Sequence, residues 1–127
     1  GEHSDYGFLT LLYQDSVGGL QVKNASGEWV DAVPIPGSFV INLGDMMAIA
    51  TNNKFKATPH RVLNNPTSRS RISIPLFYDP HYETVVSVFE TCTSSDNPAK
   101  YPPTTYGEHL SRRLNETFQY RKTESNS

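Results

Sequence analysis

The sequence predicts a mainly β domain, a sandwich or a barrel, followed by one helix. Short apolar or alternating segments are separated by turns that contain Gly or Pro along the first two thirds of the chain. Residues 71–79 alternate well, which places Arg71 and Ser73 on one face of a strand and the apolar side chains of Ile72, Ile74, Leu76 and Tyr78 on the other. Near the end of the chain, apolar side chains recur every four residues, which is the spacing of one helix face.

The predicted strands follow in chain order. Residues 8–13 form an apolar run typical of a buried strand. Residues 18–23 and 28–33 alternate on either side of the turn-forming residues 24–27, which predicts a β-hairpin. Residues 46–50 fit either a strand or a short helix. Further strands are predicted at 38–43, 56–64, 71–79 and 85–89.

The C-terminal helix is predicted from its start signal and its apolar stripe. Thr105 and Glu108 have the spacing of a capping box. His109 falls on the polar side of this helix, where we expect it to be solvated. The stripe consists of Tyr106, Leu110, Leu114 and Phe118. We therefore expect a β core over residues 1–92, a linker and helix over 93–122, and a disordered tail over 123–127.

Composition limits the classes of function. The chain has 127 residues, which suits one domain, and its net charge of −2 argues against nucleic acid or an anionic membrane as the main partner. No apolar run approaches the length of a membrane span. The single cysteine, Cys92, excludes an internal disulfide and a Cys-rich zinc site. A lone cysteine suits a reducing compartment, so we expect a cytoplasmic location.

His3 and Asp5 are candidate metal ligands, because residues i and i+2 of an extended segment point to the same side. Alone, the pair also fits a surface salt bridge. His60 lies in the predicted strand 56–64, where the commoner interpretation is a hydrogen-bonded histidine within a sheet. Two imidazoles and one carboxylate on adjacent strands would form the facial triad that holds Fe(II) and leaves positions open for O₂ and substrate.

Arg71 and Ser73 are candidates for binding a carboxylate. A guanidinium can form two parallel hydrogen bonds with a carboxylate, and a neighbouring hydroxyl can add a third. Arginine on the inward face of an apolar strand is costly unless it is paired. The pairing group is either a carboxylate of a co-substrate or an Asp or Glu of the protein itself, and Phe77 on the same face is expected to line the pocket.

Three segments together resemble a known family. HSDYGFLTLL, GDMMAIATNNKFKATPHRV and RISIPLFYDP are similar to the signature blocks of the Fe(II)/2-oxoglutarate-dependent dioxygenases, and more narrowly of the isopenicillin N synthase-like branch. The resemblance implies a double-stranded β-helix, or jelly roll. It implies that His3, Asp5 and His60 are the catalytic iron ligands. It also implies that Arg71 and Ser73 bind the distal carboxylate of 2-oxoglutarate.

The resemblance further implies an oxidoreductase that hydroxylates, desaturates or cyclises a small organic substrate with O₂ and releases succinate and CO₂. Ascorbate is a candidate reductant. In the family, helices and the first strands of the jelly roll precede the segment seen here, so the N-terminal part of a longer enzyme is an expected partner. Two alternatives stay open: an iron oxidase of the isopenicillin N synthase type that keeps Arg-x-Ser without using 2-oxoglutarate, and a non-catalytic jelly-roll binding module.

Overall fold

The computed structural model describes the backbone of residues 1–63 and 69–124, and the side chains of these segments up to residue 116. The described chain is mostly strands, with one short and one long helix. The strands are β1 (Leu9–Gln14), β2 (Leu20–Lys23), β3 (Trp29–Asp31), β4 (Val40–Leu43), β5 (His60–Val62), β6 (Ser73–Tyr78), β7 (Val85–Val86) and β8 (Thr104–Thr105). The helices are α1 (Asp45–Ala50) and α2 (Tyr106–Glu124), and a 3₁₀ turn spans Glu90–Cys92.

Among the described residues, the strands form two three-stranded antiparallel sheets and a two-stranded ribbon. The first sheet has the order β4-β1-β6, the second has the order β3-β2-β5, and the ribbon pairs β7 with β8. In the first sheet, Thr10 lies opposite Asn42 of β4 and Phe77 of β6, while Gln14 lies opposite Ser73. The predicted hairpin is confirmed by the pairing of β2 with β3, and Gly27 in its turn has a φ of 82°, which favours glycine.

Several predicted strands are shorter than the sequence indicated. In the segment 56–64 only His60–Val62 is a strand, because Pro59 has no N–H for a ladder, although its carbonyl accepts from Lys23. Residue 64 lies outside the described residues. The segment 85–89 pairs only through Val85–Val86 before the chain turns into the 3₁₀ turn. The segment predicted to be a linker contains the short strand β8, since Thr104–Thr105 pairs with β7. The ambiguous residues 46–50 belong to helix α1.

Helix α2 begins where the capping box placed it. The Glu108 N–H donates to Thr105 Oγ1 at 3.1 Å, and the Thr105 N–H donates to Glu108 Oε2 at 3.0 Å. The helix continues through Glu124, so the predicted tail 123–127 began two residues too early, and residues 125–127 lie outside the described chain. No Gly or Pro follows Gly107 to end the helix sooner. No described helix is both long and apolar enough to cross a bilayer.

The buried core lies where the two helices meet. Met46, Ile49 and Ala50 of α1 pack with Val86 and with Tyr106 at the start of α2. Met46 is fully buried, and burial of a side chain of this size contributes roughly 1.5–3 kcal/mol. Backbone hydrogen bonds from Asp45 and Met46 to the carbonyls of Asp5 and Gly7 attach the start of this helix to the N-terminal segment, which carries two of the candidate ligands.

The two faces of the β4-β1-β6 sheet differ in polarity. One face carries Thr10, Gln14, Asn42, Ser73 and Phe77. The other face is apolar, as the alternation in 71–79 predicted, but it is exposed in this chain. It includes Ile41, Ile74, Leu76 and Tyr78, each of which is 61–65% exposed. A contiguous apolar patch of this kind marks an interaction surface.

Candidate metal centre

The structure brings His3, Asp5 and His60 together. His3 and His60 form an isolated antiparallel bridge in which each N–H donates to the carbonyl of the other residue, at 3.1 and 2.9 Å. This pairing adds the N-terminal segment to the edge strand β5 and places the two imidazole centroids 4.3 Å apart. Asp5 follows two residues after His3, so its carboxylate points to the same side as the imidazole. The predicted ligands therefore converge on one point.

The converging atoms have the spacing of ligands around one ion. Asp5 Oδ1 lies 3.7 Å from His3 Nε2 and 3.5 Å from His60 Nε2. The three ligand atoms all lie within 4.8 Å of one another, the only such cluster of His, Cys, Asp or Glu found in the described residues. His3 is exposed while Asp5 is buried, so the group is open on one side.

The hydrogen bonds of both imidazoles favour a metal ion. Nδ1 of His3 lies 3.0 Å from the carbonyl oxygen of Gly1, and Nδ1 of His60 lies 3.0 Å from that of Thr58. A carbonyl only accepts, so each Nδ1 carries a proton, and in the neutral ring Nε2 offers a lone pair. Two lone pairs then face a carboxylate oxygen. Together the two Nε2 lone pairs and the carboxylate oxygen are a donor set that a metal ion can bind.

The Asp5 carboxylate is held from its other side. Oδ2 accepts hydrogen bonds from the Thr10 hydroxyl and from Asn42 Nδ2, the latter at 2.7 Å. Thr10 and Asn42 lie opposite each other on β1 and β4, so the sheet register brings both donors to one oxygen. Oδ1 is left facing the two histidines. Such outer partners orient a ligand and are usual around metal sites.

A carboxylate and two neutral imidazoles are the donor set of the facial triad that binds Fe(II) and keeps positions open for other ligands. No thiolate is present in the group, and Cys92, the chain's only cysteine, belongs to the 3₁₀ turn. The residues present therefore fit a mononuclear iron ion.

Arg71 and Ser73 are also brought together as predicted. Arg71 Nη1 donates to Ser73 Oγ at 2.7 Å, while its Nε donates to the carbonyl of Gly18 at 2.8 Å. Arg71 Nη2 lies 3.4 Å from Gln14 Oε1. These acceptors are neutral, and no carboxylate lies within 4 Å of the guanidinium in the described part of the chain. The positive charge is therefore available to an external carboxylate.

The nearby carboxylate of Asp15 does not take the role of an internal partner. Its Oδ2 accepts from the Ile72 N–H at 2.6 Å and its Oδ1 accepts from the Val17 N–H at 3.0 Å. These two backbone hydrogen bonds lower the pKa of Asp15, and the charge of Arg71 adds a smaller effect in the same direction. Asp15 thus fixes the turn that follows β1 and links it to Ile72, next to β6, rather than forming an ion pair with Arg71.

A cavity of about 400 Å³ adjoins the metal ligands. Its lining includes His3 and Asp5, the predicted pocket residue Phe77, and Asp79, Tyr106 and Leu110, but not Arg71 or Ser73. The Tyr106 hydroxyl donates to Asp79 Oδ2 at 2.7 Å. Burial and this carboxylate raise the pKa of Tyr106, so the phenol stays protonated. The wall is thus partly apolar, with one carboxylate outside the triad.

Sequence reasoning missed four residues around the site. Thr10 and Asn42 were not recognised, although a Thr inside an apolar strand is a usable signal. Asp45 begins α1 and accepts from Ser4, a contact across 41 residues that no local pattern indicates. The expectation that His109 is solvated was wrong: it is 4% exposed, and its Nε2 lies 3.2 Å from Asp45 Oδ2. Its partner lies 64 residues away, which the helix pattern could not reveal.

The fold is of the jelly-roll class, and His3, Asp5 and His60 form a candidate site for one metal ion. Residues 1–80 match the family model of the 2OG-Fe(II) oxygenase superfamily. The chain belongs to this superfamily.

Individual relatives agree with this assignment. A homoarginine-6-hydroxylase of Glycine max is 45% identical over 120 residues, which cover 93% of this chain and 36% of the relative. A probable iron/ascorbate oxidoreductase of Dictyostelium discoideum is 50% identical over 97 residues, 76% of this chain and 26% of the relative. The chain thus spans about a third of the length of such curated relatives.

Among solved structures, a full-length Neurospora crassa protein crystallised in complex with α-KG and thymine superposes with a TM-score of 0.83 at 39% identity. The match covers 92% of this chain and 37% of that one. The predicted jelly-roll class and the predicted cofactors, iron and 2-oxoglutarate, are confirmed at the level of the family.

Proposed function

We propose that this chain carries the metal and co-substrate sites of an Fe(II)- and 2-oxoglutarate-dependent dioxygenase that oxidises a small organic molecule. The observation that carries the proposal is the convergence of His3, Asp5 and His60, with both Nδ1 atoms bonded to carbonyls. An iron ion held by His3, Asp5 and His60 would supply the chemistry that oxidises a C–H bond with O₂, coupled to conversion of 2-oxoglutarate to succinate and CO₂.

In this proposal the protein groups have separate tasks. His3, Asp5 and His60 hold the iron on one face. Arg71 and Ser73 bind the distal carboxylate of 2-oxoglutarate: the guanidinium contributes charge and N–H donors, and the Ser73 hydroxyl keeps its proton to donate because its oxygen accepts from Arg71. On the polar face of the β4-β1-β6 sheet, Ser73 lies opposite Gln14, and Phe77 lies opposite Thr10, whose hydroxyl donates to the Asp5 carboxylate.

The cavity next to the triad supports a substrate with an apolar part and N–H donors. Phe77 and Leu110 provide apolar wall, whereas Asp79 offers a carboxylate that accepts hydrogen bonds. Two of the similar proteins fit this chemistry by their names, a homoarginine hydroxylase and a protein crystallised with thymine. The similarity to an iron/ascorbate oxidoreductase supports ascorbate as the reductant.

We also infer that the active enzyme contains further chain packed on the exposed apolar face of the β4-β1-β6 sheet. This face presents Ile41, Ile74, Leu76 and Tyr78 to solvent. The relatives are about three times as long as the matched segment. Chain outside the segment is therefore the expected cover, and the activity is expected of the full-length protein.

The test is an anaerobic titration of the full-length protein with Fe(II) and 2-oxoglutarate, followed by the visible charge-transfer band of the chelate. The wild type should develop the band and His60→Ala should lose it. His81→Ala is the matched control, because His81 is an exposed histidine whose Nδ1 lies 3.3 Å from the Glu83 N–H and which is absent from the metal cluster. It should behave as the wild type.

The outcomes separate the candidate functions. Iron binding without the band would overturn the role of 2-oxoglutarate and favour the iron oxidase. No iron binding at all would leave the non-catalytic binding module. Release of succinate by the wild type, and its loss in His60→Ala, would complete the evidence for a dioxygenase.

A further inference from the structure

The short segment between the first two metal ligands is bound by helix α1. The Ser4 hydroxyl, which stands between His3 and Asp5, donates to Asp45 Oδ1 at 2.9 Å. The Asp45 N–H donates to the carbonyl of Asp5 at 2.8 Å. Asp45 therefore contacts the ligand segment through both its side chain and its backbone.

The neighbouring backbone of α1 reinforces this contact. The Gly44 N–H donates to the Phe8 carbonyl at 3.0 Å, and the Met46 N–H donates to the Gly7 carbonyl at 3.0 Å. Gly44 has to be glycine, because a Cβ there would lie 2.3 Å from the Gly7 carbonyl oxygen. The start of α1 therefore lies against residues 5–8 with no room for a side chain at Gly44.

Helix α2 holds the other carboxylate oxygen of Asp45. His109 Nε2 and Arg113 Nε each lie 3.2 Å from Asp45 Oδ2. Arg113 Nη2 also lies 3.5 Å from Ser4 Oγ, and its guanidinium lies over the Tyr6 ring at 5.2 Å. Two residues of the C-terminal helix thus reach a carboxylate that contacts the metal-ligand segment.

The donors are oriented unambiguously. Arg112 Nη2 lies 3.0 Å from His109 Nδ1, and since a guanidinium only donates, Nδ1 is the acceptor and Nε2 carries the proton. His109 therefore donates to Asp45. Burial raises the pKa of Asp45, but the hydrogen bonds from His109 and Ser4 and the charge of Arg113 outweigh it, so that the pKa is lowered and the group is an anion.

We propose that Asp45 is a positioning residue of the metal centre, and that His109 of α2 fixes it so that the C-terminal helix sets the affinity of the site for metal. The chain of contacts runs from His109 to Asp45, from Asp45 to Ser4 and the Asp5 carbonyl, and so to His3 and Asp5 on either side of Ser4. The inference rests on the proposed function, because it assumes that these ligands bind a metal ion.

A merely structural role for Asp45 and His109 makes a different prediction. In that case their replacement lowers the stability of the protein but leaves the affinity and the ligand field of the bound metal unchanged. A positioning role predicts that both change, because the imidazole of His3 and the carboxylate of Asp5 lose their common orientation. Changes in contacts outside the ligands typically reduce metal affinity by about 10- to 100-fold.

The experiment is a titration of the full-length protein with Co(II), read by its d–d absorption, which reports both affinity and geometry. Asp45→Ala should weaken Co(II) binding by about 10- to 100-fold and alter the spectrum. His109→Leu, which keeps volume but removes the donor, should weaken it in the same direction. His109→Gln should restore most of the affinity, because its amide can donate to Asp45.

Glu108→Ala is the matched control, since it removes the cap of α2 beside His109 without a contact to Asp45. It should lower the melting temperature and leave Co(II) binding unchanged. Wild-type affinity and spectrum in Asp45→Ala, in protein shown to be folded by circular dichroism, would overturn the positioning role. Failure of the wild type itself to bind Co(II) would instead overturn the metal site, and the inference with it.

Discussion

The hydrogen bond from the Thr10 hydroxyl to Asp5 Oδ2 predicts that loss of this hydroxyl lowers both the stability of the protein and its affinity for metal. Thr10→Val keeps the shape of the side chain and removes its hydroxyl from a carboxylate that is 7% exposed. A hydrogen bond to a charged group contributes about 1.5–3 kcal/mol. The free energy of unfolding of the variant should therefore fall by about 2 kcal/mol, because only Asn42 still donates to this oxygen. Unfolding should then occur at a lower urea concentration.

The same change should also weaken metal binding. With one donor left on Oδ2, the carboxylate of Asp5 is free to rotate, and Oδ1 no longer faces both imidazoles in one fixed position. We expect Co(II) affinity to fall by about 10-fold or more. Urea unfolding monitored by circular dichroism, with and without Co(II), measures both quantities on one sample.

Two further variants sharpen this prediction. Thr10→Ser keeps the hydroxyl and should retain most of the metal affinity. Asn42→Asp replaces the amide that donates to Asp5 Oδ2 at 2.7 Å with a second carboxylate. Two like charges at this distance repel each other and disfavour the state in which both groups are ionised, so this variant should also disturb the orientation of Asp5. If Thr10→Val bound Co(II) as tightly as Thr10→Ser and unfolded at the same urea concentration, the hydroxyl would have no role in orienting Asp5.

Three other predictions follow from the contacts. Arg71→Ala should weaken 2-oxoglutarate binding by about tenfold or more, measured calorimetrically, because the described contacts of the guanidinium are all to neutral oxygens and leave its charge for the co-substrate. The Co(II) affinity should stay unchanged, and equal affinity of both proteins for 2-oxoglutarate would contradict the role of Arg71. Gly7→Ala should destabilise the protein in a thermal melt, because its Cβ would lie 1.5 Å from Asp79 Oδ1. The pKa of Asp45 is lowered from its ordinary value of 3.8, so the ionised carboxylate stabilises the fold above that pH, and this stability is lost as the pH falls through the lowered pKa. Asp45→Asn should therefore make the free energy of unfolding, measured in urea, depend less on pH on the acid side.

The outcome of the last two predictions is also decisive. An unchanged melting temperature in Gly7→Ala would mean that the segment around residue 7 moves away from Asp79. An equally steep loss of stability below pH 4 in Asp45→Asn would assign the acid sensitivity to other carboxylates.

The pairing of His3 with Asp5 was predictable because its geometry is local, whereas His60 was expected to join them only because of the family resemblance. His3 and Asp5 are two residues apart, which fixes their common side in any extended segment. His60 lies in a strand, and a single backbone bridge to His3 completes the group. Arg71 and Ser73 were predictable for the same reason, as they share one face across a spacing of two. Such sites depend on strand alternation, which the sequence displays directly.

The supports of the ligands were not predictable, because they depend on contacts between distant parts of the chain. His109 occupies the polar side of a helical stripe, and only its contact with Asp45, 64 residues earlier, makes it a buried donor. Thr10 and Asn42 meet on Asp5 only through the register of β1 with β4. Pattern analysis gives the period of each element, but it does not give register or the side on which a helix packs.

The alternation of β6 shows the same division. The sequence placed Ile74, Leu76 and Tyr78 on one face and Arg71 and Ser73 on the other, and the structure agrees. An apolar face is ordinarily the buried one, yet here it is exposed, while the opposite face contributes the polar groups of the site. Because these side chains are 61–65% exposed, each forgoes roughly 1–2 kcal/mol of burial. The face therefore has a strong tendency to be covered, which is the physical reason for the proposal that further chain packs on it.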